Sequence, residues 1–430
     1  MSREPHPSRR RVPAAVPSRG PARRDTAAHL ANRQRAASRT RTFRRRRALV
    51  LLATLAVVAA IVAACNAVTS AGSKPHKTTT TTSAASTTRG STQPQTTTTT
   101  LPAAFEVGIH AFHWERRGAG VTHVGPTGAA LPGRVLTTEI RYPTLAGAAG
   151  EETSNAAPSK AGGPYPVIIF AHGFETEPLD YAALLDSWVR AGFVVVSPVF
   201  PDESQEAVTD AGGMSNPSIA DTLEDDVYNE PGDIVYVVKQ LQSIASDPWG
   251  SHLADVMNLS DVGLAGQSDG ANVVAALSYA SGLHTLYAQL PSAPKAVAVL
   301  SGVMWSTEST GEYGASSGSP PLLQVQSDAD GCVSPTLASY LFAKVQSGLA
   351  SKWWVTLLGA GHLGPYEGVA PWAAVVEAAT TKFFELELNW RASSSSAAAV
   401  EAAAAVSGVA EITSSVGEST VPQVQLIPGC

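Results

Sequence analysis

The chain has 430 residues and a formal charge of −6 at pH 7, which is long enough for one large or two ordinary domains. Its three cysteines are too few for a disulfide-stabilised scaffold. No cysteine and histidine cluster has metal-ligand spacing, and there is neither a phosphate-binding loop nor a dinucleotide fingerprint, so we expect no metal and no cofactor.

Charge is divided unevenly along the chain. Residues 1–47 hold 15 arginines and two acids, which leaves 15 basic and 34 acidic residues in 48–430, a formal charge of −19. The first segment is rich in Pro, Ser and Ala and lacks apolar periodicity, which predicts a disordered tail. A basic tail can bind nucleic acid, but this one lies just before a hydrophobic run. That position favours a cytoplasmic tail that sets the orientation of a membrane segment, and we expect no nucleic-acid partner.

Residues 48–65 form that hydrophobic run. Ala48 to Ala64 carry no charge, and a helix of this length nearly spans the ~30 Å hydrocarbon core. The arginines at 44–47 place the amino terminus in the cytoplasm by the positive-inside rule. Because residues 62–65 (Val-Ala-Ala-Cys) are similar to a lipoprotein signal box, a lipidated or cleaved form remains the alternative to an uncleaved signal anchor. Both alternatives place the rest of the chain outside the cytoplasm at the cell membrane, either attached or released.

Residues 66–104 are a Thr/Ser/Pro-rich linker, and residues 105–390 carry the pattern of a folded domain. Strands are predicted at 135–142, 166–171, 193–197, 262–265, 296–300, 322–326 and 353–358. Helices are predicted at 178–191, 231–246, 269–281, 335–348 and 371–387. Near-continuous apolar strands that alternate with helices predict an α/β domain with a mostly parallel central sheet and helices on both faces.

The strongest motif is Gly266-Gln267-Ser268-Asp269-Gly270, which stands between a predicted strand and a predicted helix. A serine on so sharp a turn needs small residues two positions before and after it. This arrangement is typical of a nucleophile elbow, and the motif alone is as compatible with an ordinary strand-to-helix turn. A catalytic role for Ser268 therefore requires residues elsewhere in the chain that could activate it.

A serine hydroxyl becomes nucleophilic when a histidine accepts its proton and a carboxylate orients that histidine. Asp330 follows the predicted strand 322–326, and His362 follows the predicted strand 353–358, so both would lie at the same sheet edge as Ser268. Asp328 is an alternative acid in the same loop. We favour Asp330, which begins an Asp-x-x-Val motif, and expect Asp328 to cap the turn.

An oxyanion also needs two backbone N–H donors. We expect one from Asp269, directly after the serine, and one from Phe174, in the His172-Gly173-Phe174 loop that follows strand 166–171. We predict that His172 shapes this loop rather than acting as a base. Phe174 and Trp305 are candidates for lining an acyl site, although simple packing explains either aromatic equally well.

From about Val135 to Phe384, these motifs resemble the α/β-hydrolase superfamily, in particular its dienelactone-hydrolase-like, platelet-activating-factor-acetylhydrolase-like and cutinase-like serine esterases. The shared residues include 141–143 (Arg-Tyr-Pro), 166–174, 188–196 and 231–234, besides the elbow and the final Gly-His pair. The resemblance implies a fold whose first strands are antiparallel. True dienelactone hydrolases use a cysteine nucleophile, so with Ser268 we do not expect that activity here. A second departure is the acidic Asp269, which stands where relatives often have an apolar or small residue.

The sequence thus predicts a serine esterase that acts on a small-molecule or lipid-like ester through Ser268, His362 and Asp330. An acyltransferase for cell-envelope acceptors and a non-catalytic hydrolase-like surface protein remain alternatives. Polar insertions at 201–231 and 304–320 are expected to overhang the catalytic mouth, with no large lipase-like lid. We expect the Ala/Ser-rich tail 391–430 to be poorly ordered, and we hypothesise a Cys332–Cys430 disulfide.

Overall fold

The computed structural model describes residues 104–213, 216–305, 310–391 and 395–417. The predicted cytoplasmic tail 1–47, the predicted membrane segment 48–65 and all but the last residue of the linker 66–104 lie outside these ranges. Cys430 also lies outside them, so the disulfide hypothesis stays a prediction. In the part of the chain that is described, every helix is too short or too polar to cross a bilayer.

Twelve strands form two sheets in the described residues. They are β1 (Glu106–Arg116), β2 (Thr122–Val124), β3 (Ala130–Pro132), β4 (Arg134–Thr144), β5 (Glu152–Ser154), β6 (Tyr165–Ala171), β7 (Val194–Val199), β8 (Met257–Gln267), β9 (Ala296–Leu300), β10 (Leu322–Ser327), β11 (Lys352–Leu357) and β12 (Ala410–Thr413). Strands β2 and β3 pair only with each other, and the other ten form the central sheet.

The helices of the described residues fall between and after these strands. They are α1 (Ala182–Ala191), α2 (Gln205–Asp210), α3 (Pro217–Glu224), α4 (Glu230–Gln242), α5 (Gly250–Ala254), α6 (Asp269–Tyr279), α7 (His284–Tyr287), α8 (Pro335–Val345), α9 (Trp372–Glu387) and α10 (Ala397–Ala404). A short 3₁₀ turn, Asp225–Tyr228, separates α3 from α4.

The central sheet has the strand order β12-β11-β10-β9-β8-β6-β7-β4-β1-β5. The successive neighbours from β7 through β6, β8, β9 and β10 to β11 all run parallel. Strand β4 is antiparallel to β7, and β1 is antiparallel to β4. The predicted fold class is therefore confirmed, because this mostly parallel sheet with antiparallel first strands has the topology of the α/β-hydrolase fold.

Strand β6 shows why its sequence is apolar at almost every position. Val167 and Ile169 point into one core, which helices α4, α6 and α8 cover. Ile168 and Phe170 point into the second core, which helices α1 and α9 cover. Because side chains alternate between the two faces and both faces are buried, polar alternation is lost along the strand. The same geometry brings the carboxyl ends of β6, β8, β10 and β11 to one edge of the sheet.

The acidic insertion that follows β7 is anchored by a buried arginine. Arg134 on β4 is completely buried, and its guanidinium lies 2.7 Å from Asp233, 2.5 Å from Asp226 and 3.4 Å from Asp202. Burial alone would lower the pKa of Arg134, but the adjacent carboxylates more than offset it and hold the pKa above its ordinary value. The cation therefore fixes both ends of the insertion against the sheet.

The segment after residue 390 differs from the prediction of a poorly ordered tail. Helix α10 packs against α9, and β12 pairs antiparallel with β11, so the described domain continues past the predicted boundary to Thr413. The alanine run does contain a narrow apolar stripe, because Val400 and Ala404 are four residues apart and both buried. Ser396 caps the helix by accepting a hydrogen bond from the N–H of Ala399 at 3.1 Å.

Candidate active site

Ser268 lies on a strained turn between β8 and α6. Its backbone has φ 54° and ψ −120°, a conformation that residues other than glycine rarely adopt. The Ser268 N–H donates to the carbonyl of Leu300 at the end of β9 at 3.0 Å, and its own carbonyl accepts from Asn272 in the first turn of α6 at 3.0 Å. These two bonds hold the strained residue from both sides, so its side chain is presented at the sheet edge.

The glycines of the motif are required by backbone contacts. A Cβ atom on Gly266 would lie 2.2 Å from the carbonyl oxygen of Gly270, and one on Gly270 would lie 2.2 Å from the carbonyl oxygen of Ala171. Neither contact can be relieved by a side-chain rotation, since both involve main-chain atoms. The spacing of small residues thus has the physical cause that a nucleophile elbow requires.

The structure brings Ser268, His362 and Asp330 together. Ser268 Oγ lies 2.9 Å from His362 Nε2, and His362 Nδ1 lies 2.9 Å from Asp330 Oδ2. A carboxylate only accepts hydrogen bonds, so Nδ1 carries the proton and Nε2 offers its lone pair to the serine hydroxyl. The His362 side chain is only 10% exposed, so it is largely shielded from water.

Asp330 is held as a carboxylate by its neighbours. Its Oδ1 accepts from the N–H groups of Cys332 and Val333, each at 2.9 Å, and its Oδ2 also accepts from Gln326 Nε2 at 3.1 Å. Burial raises the pKa of Asp330, but the hydrogen bond and charge of His362 and the two backbone donors outweigh it, and the pKa lies below its ordinary value.

Asp328 has the local role that the sequence predicts for it. Its Oδ1 accepts the N–H of Gly359 at 2.6 Å, and its own N–H donates to the carbonyl of Leu357 at 3.1 Å. Asp328 thereby ties the loop after β10 to the loop that carries His362. No contact joins its carboxylate to the imidazole among the described residues, so geometry favours Asp330 as the partner of His362.

The two expected oxyanion donors have unoccupied N–H groups. Within the described ranges, neither Phe174 N nor Asp269 N makes a hydrogen bond. Gly173 lies directly against the serine, because a Cβ on Gly173 would be 2.9 Å from the Cβ of Ser268. The loop that carries the Phe174 N–H therefore borders Ser268 on one side, and the start of α6 borders it on the other.

The loop histidine has a structural role, as its sequence position indicates. His172 is completely buried, its Nε2 accepts the N–H of Phe200 at 2.9 Å, and its Nδ1 donates to the carbonyl of Gly173 at 2.9 Å. Burial lowers the pKa of His172 to about 4, with the Gly173 bond acting in the opposite direction. The neutral ring thus links the loop of residues 172–174 to the residue that follows β7.

Acidic groups cluster near Ser268. Burial raises the pKa of Asp269 to about 6, while Asn272 and the charge of His362 lower it. Glu203 and Glu230 are completely buried, their oxygens meet no donor group among the described residues, and burial raises the pKa of each well above its ordinary value. Since two carboxylates cannot donate to each other, the pair is satisfied only when a proton lies between them.

The two aromatics that were candidates for an acyl site lie in packed positions. Phe174 is half-buried against the small apolar cluster of Val208, Ala211 and Leu223 in the insertion. Trp305 contacts Tyr228 of the 3₁₀ turn, with 4.6 Å between ring centroids, so this pair joins the two polar insertions. Tyr228 is exposed and was not among the candidates, because nothing in the sequence pairs it with Trp305.

Asp330, Cys332 and His362 also offer three potential metal-ligand atoms within 4.8 Å of one another. The short loop between Asp330 and Cys332 accounts for the proximity, and the oxygens of Asp330 already accept from four donor groups. These contacts match a hydrogen-bonded triad carboxylate.

Comparisons with known proteins add little to this geometry. No protein-family model and no curated protein matches the chain. Among solved structures, the chain is similar to a ferulic acid esterase from Streptomyces cinnamoneus, with 15% identity and a TM-score of 0.45, over 70% of this chain and 96% of that one. The function of the protein is therefore inferred from the contacts of Ser268, His362 and Asp330.

Proposed function

We propose that the protein is a serine hydrolase that cleaves carboxylic esters through a covalent acyl-enzyme. The single observation that carries this proposal is the pair of 2.9 Å contacts from Ser268 Oγ to His362 Nε2 and from His362 Nδ1 to Asp330 Oδ2. Such an arrangement supplies a nucleophile, a general base and a carboxylate that orients the base.

In the first half of the reaction, Ser268 Oγ attacks the ester carbonyl carbon while His362 Nε2 takes the hydroxyl proton. Asp330 holds the imidazole in the required tautomer and stabilises the imidazolium. The backbone N–H groups of Phe174 and Asp269 donate to the developing oxyanion. Collapse of the tetrahedral intermediate transfers the proton from His362 to the departing alcohol and leaves the acyl group on Ser268.

In the second half, a water molecule attacks the acyl carbon and gives its proton to His362 Nε2. The second tetrahedral intermediate expels the serine oxygen, which recovers the proton from His362, and the carboxylic acid leaves. Fixed donors contribute most when they are already in place before charge develops. The unoccupied N–H groups beside Ser268 fit that requirement.

A Ser268→Ala variant tests the proposal with p-nitrophenyl acetate and p-nitrophenyl butyrate. We expect the loss of at least about 10³-fold in kcat, with unchanged circular dichroism and thermal unfolding. Ser334→Ala, in the loop before α8, is a control that should retain full activity. An active Ser268→Ala variant would contradict the assignment of the nucleophile. Esters of graded acyl length, tested on the wild-type protein, would define its substrate range.

We also propose that the catalytic domain acts outside the cytoplasmic membrane, tethered through residues 48–65. This proposal rests on the arginine-flanked apolar run and on the cysteine at its end. Protease accessibility of the domain in intact cells tests the location. A Cys65→Ser variant with the same size and the same lipid labelling as the wild type would exclude lipidation at Cys65 and support the uncleaved anchor. Loss of a label that the wild type carries would support the lipoprotein form.

A further inference from the structure

Gln267 occupies the position between Gly266 and Ser268 and is completely buried. Its side chain reaches two different parts of the site. Gln267 Oε1 lies 2.7 Å from the hydroxyl of Tyr181, and Gln267 Nε2 lies 3.3 Å from His362 Nε2 and 3.5 Å from the His362 carbonyl oxygen. No step of the proposed mechanism uses this amide.

Hydrogen-bond donors fix the orientation of the amide. The Gly173 N–H donates to the Tyr181 hydroxyl at 3.3 Å, and the Thr176 hydroxyl donates to the Gly173 carbonyl at 2.5 Å. Thr176 Oγ1 also lies 3.0 Å from the Tyr181 hydroxyl, but its own proton is already committed. The NH₂ group of Gln267 faces His362, because the His362 carbonyl oxygen and the unprotonated Nε2 are both acceptors, and Gln267 Oε1 accepts the proton of the Tyr181 hydroxyl.

The NH₂ group meets the same ring nitrogen that accepts the serine proton. In the resting site, His362 Nε2 has a lone pair and can accept from both Ser268 and Gln267. After proton transfer, Nε2 carries a hydrogen and faces the amide N–H, so two donors oppose each other. The contact thus holds the neutral, proton-accepting ring in position before the attack and favours release of the proton to the leaving group, while the Tyr181 hydroxyl holds the Gly173 N–H in the loop that carries Phe174.

We propose that Gln267 is a positioning residue that links the oxyanion loop to the triad histidine, through Tyr181 on one side and through its amide N–H on the other. This inference rests on the proposed esterase function. Three charged groups also act on His362, namely Asp330 at Nδ1, Asp269 after the nucleophile and Glu367 in the loop before α9. Gln267 is the neutral group on the serine side of the ring.

The first test is Gln267→Glu, which keeps the shape of the side chain and leaves an oxygen for Tyr181. The second carboxylate oxygen then faces His362 Nε2 and accepts from the protonated ring. We expect the acid limb of the pH profile of kcat/KM to move to higher pH by about one unit, and kcat at pH 7 to fall at least about tenfold. A side chain at position 267 that does not face His362 Nε2 would leave the position of the acid limb unchanged.

The second test removes the hydrogen bonds without adding a charge. Gln267→Met and Tyr181→Phe should each lower kcat about tenfold with little change in KM, and the double variant should lose less than the product of the single losses, because both break one network. Gln324→Met is the matched control. Gln324 is also a completely buried strand glutamine, but its Nε2 donates to the carbonyls of Gly302 and Ala338, away from the triad.

Unchanged kcat and an unchanged pH profile in Gln267→Glu and Gln267→Met, measured on protein that unfolds at the wild-type temperature, would overturn the inference. Additive losses in the double variant would overturn the link through Tyr181. Should Gln267→Glu fail to fold, Tyr181→Phe decides by the same kcat criterion. Failure of the proposed function is distinguishable, because it shows as activity in Ser268→Ala, whatever the Gln267 variants do.

Discussion

Replacing Asp330 by asparagine reverses the proton arrangement of the triad without changing its shape. Asp330 Oδ1 accepts two backbone N–H groups at 2.9 Å, from Cys332 and Val333. Turning the amide NH₂ toward them would break both bonds, at about 1–3 kcal/mol for each donor left unpaired. The amide oxygen therefore stays at the Oδ1 position, and the NH₂ group faces His362 Nδ1 and Gln326 Nε2, which keeps the Val333 carbonyl as an acceptor.

An NH₂ group at that place forces Nδ1 to accept a hydrogen bond, so the ring proton moves to Nε2. A protonated Nε2 cannot take the proton of Ser268, which lies 2.9 Å away. In serine-protease triads the same reversal lowers kcat by about 10⁴-fold. We expect a loss of about 10³- to 10⁴-fold, or about 4–5.5 kcal/mol of transition-state stabilisation.

The assay is kcat and KM on p-nitrophenyl butyrate, with thermal unfolding measured on the same samples. Asp328→Asn is the matched control, because asparagine retains an acceptor for the Gly359 N–H that Asp328 now holds at 2.6 Å. We expect this control to stay within about threefold of the wild type. A small loss in Asp330→Asn together with a large loss in Asp328→Asn would refute the assignment of the acid.

Three further substitutions test the charges around the site. Asp269→Asn should raise the preference for mono-p-nitrophenyl succinate over p-nitrophenyl butyrate about tenfold at pH 8, since the wild-type carboxyl, with a pKa of about 6, is then ionised; an unchanged ratio contradicts this. The raised pKa of Glu203 means that the folded protein holds the Glu203 proton more tightly than the unfolded chain does, so stability falls as pH rises above the ordinary glutamate range. Glu203→Gln should therefore reduce the fall in Tm between pH 5 and 8. An equal fall in the variant and the wild type would refute the reasoning. Arg134→Met strands buried carboxylates and should lower the free energy of unfolding by about 3–5 kcal/mol in urea, whereas a loss as small as that of the exposed control Arg117→Met contradicts the anchoring role.

Local motifs predicted most of the fold and the central side chains of the site. The elbow glycines, the apolar strands and the loops after β10 and β11 each carry their signal within a few neighbouring residues. Because the carboxyl ends of parallel strands share one edge, these short signals were enough to predict that Ser268, Asp330 and His362 lie close together. Their catalytic roles and those of the Phe174 and Asp269 N–H groups stay predictions until measured.

Contacts between distant residues could not be predicted in this way. Gln267 and Tyr181 are 86 positions apart, and although Gln267 lies within the elbow motif, nothing in the sequence pairs it with Tyr181. Arg134 meets Asp202 and Asp226 of the insertion and Asp233 of α4, and only the folded sheet brings them close. The order of the tail was missed because Val400 and Ala404 form a stripe that the surrounding alanines conceal.

Covalent labelling tests the central claim most directly, which is that the hydroxyl of Ser268 is made reactive by His362. A fluorophosphonate probe followed by peptide mapping should place one label per chain on Ser268, in step with the loss of esterase activity. His362→Ala should react at least about 10³-fold more slowly. A label on a different residue that accompanies inactivation, or an active protein that takes no label, would contradict the account.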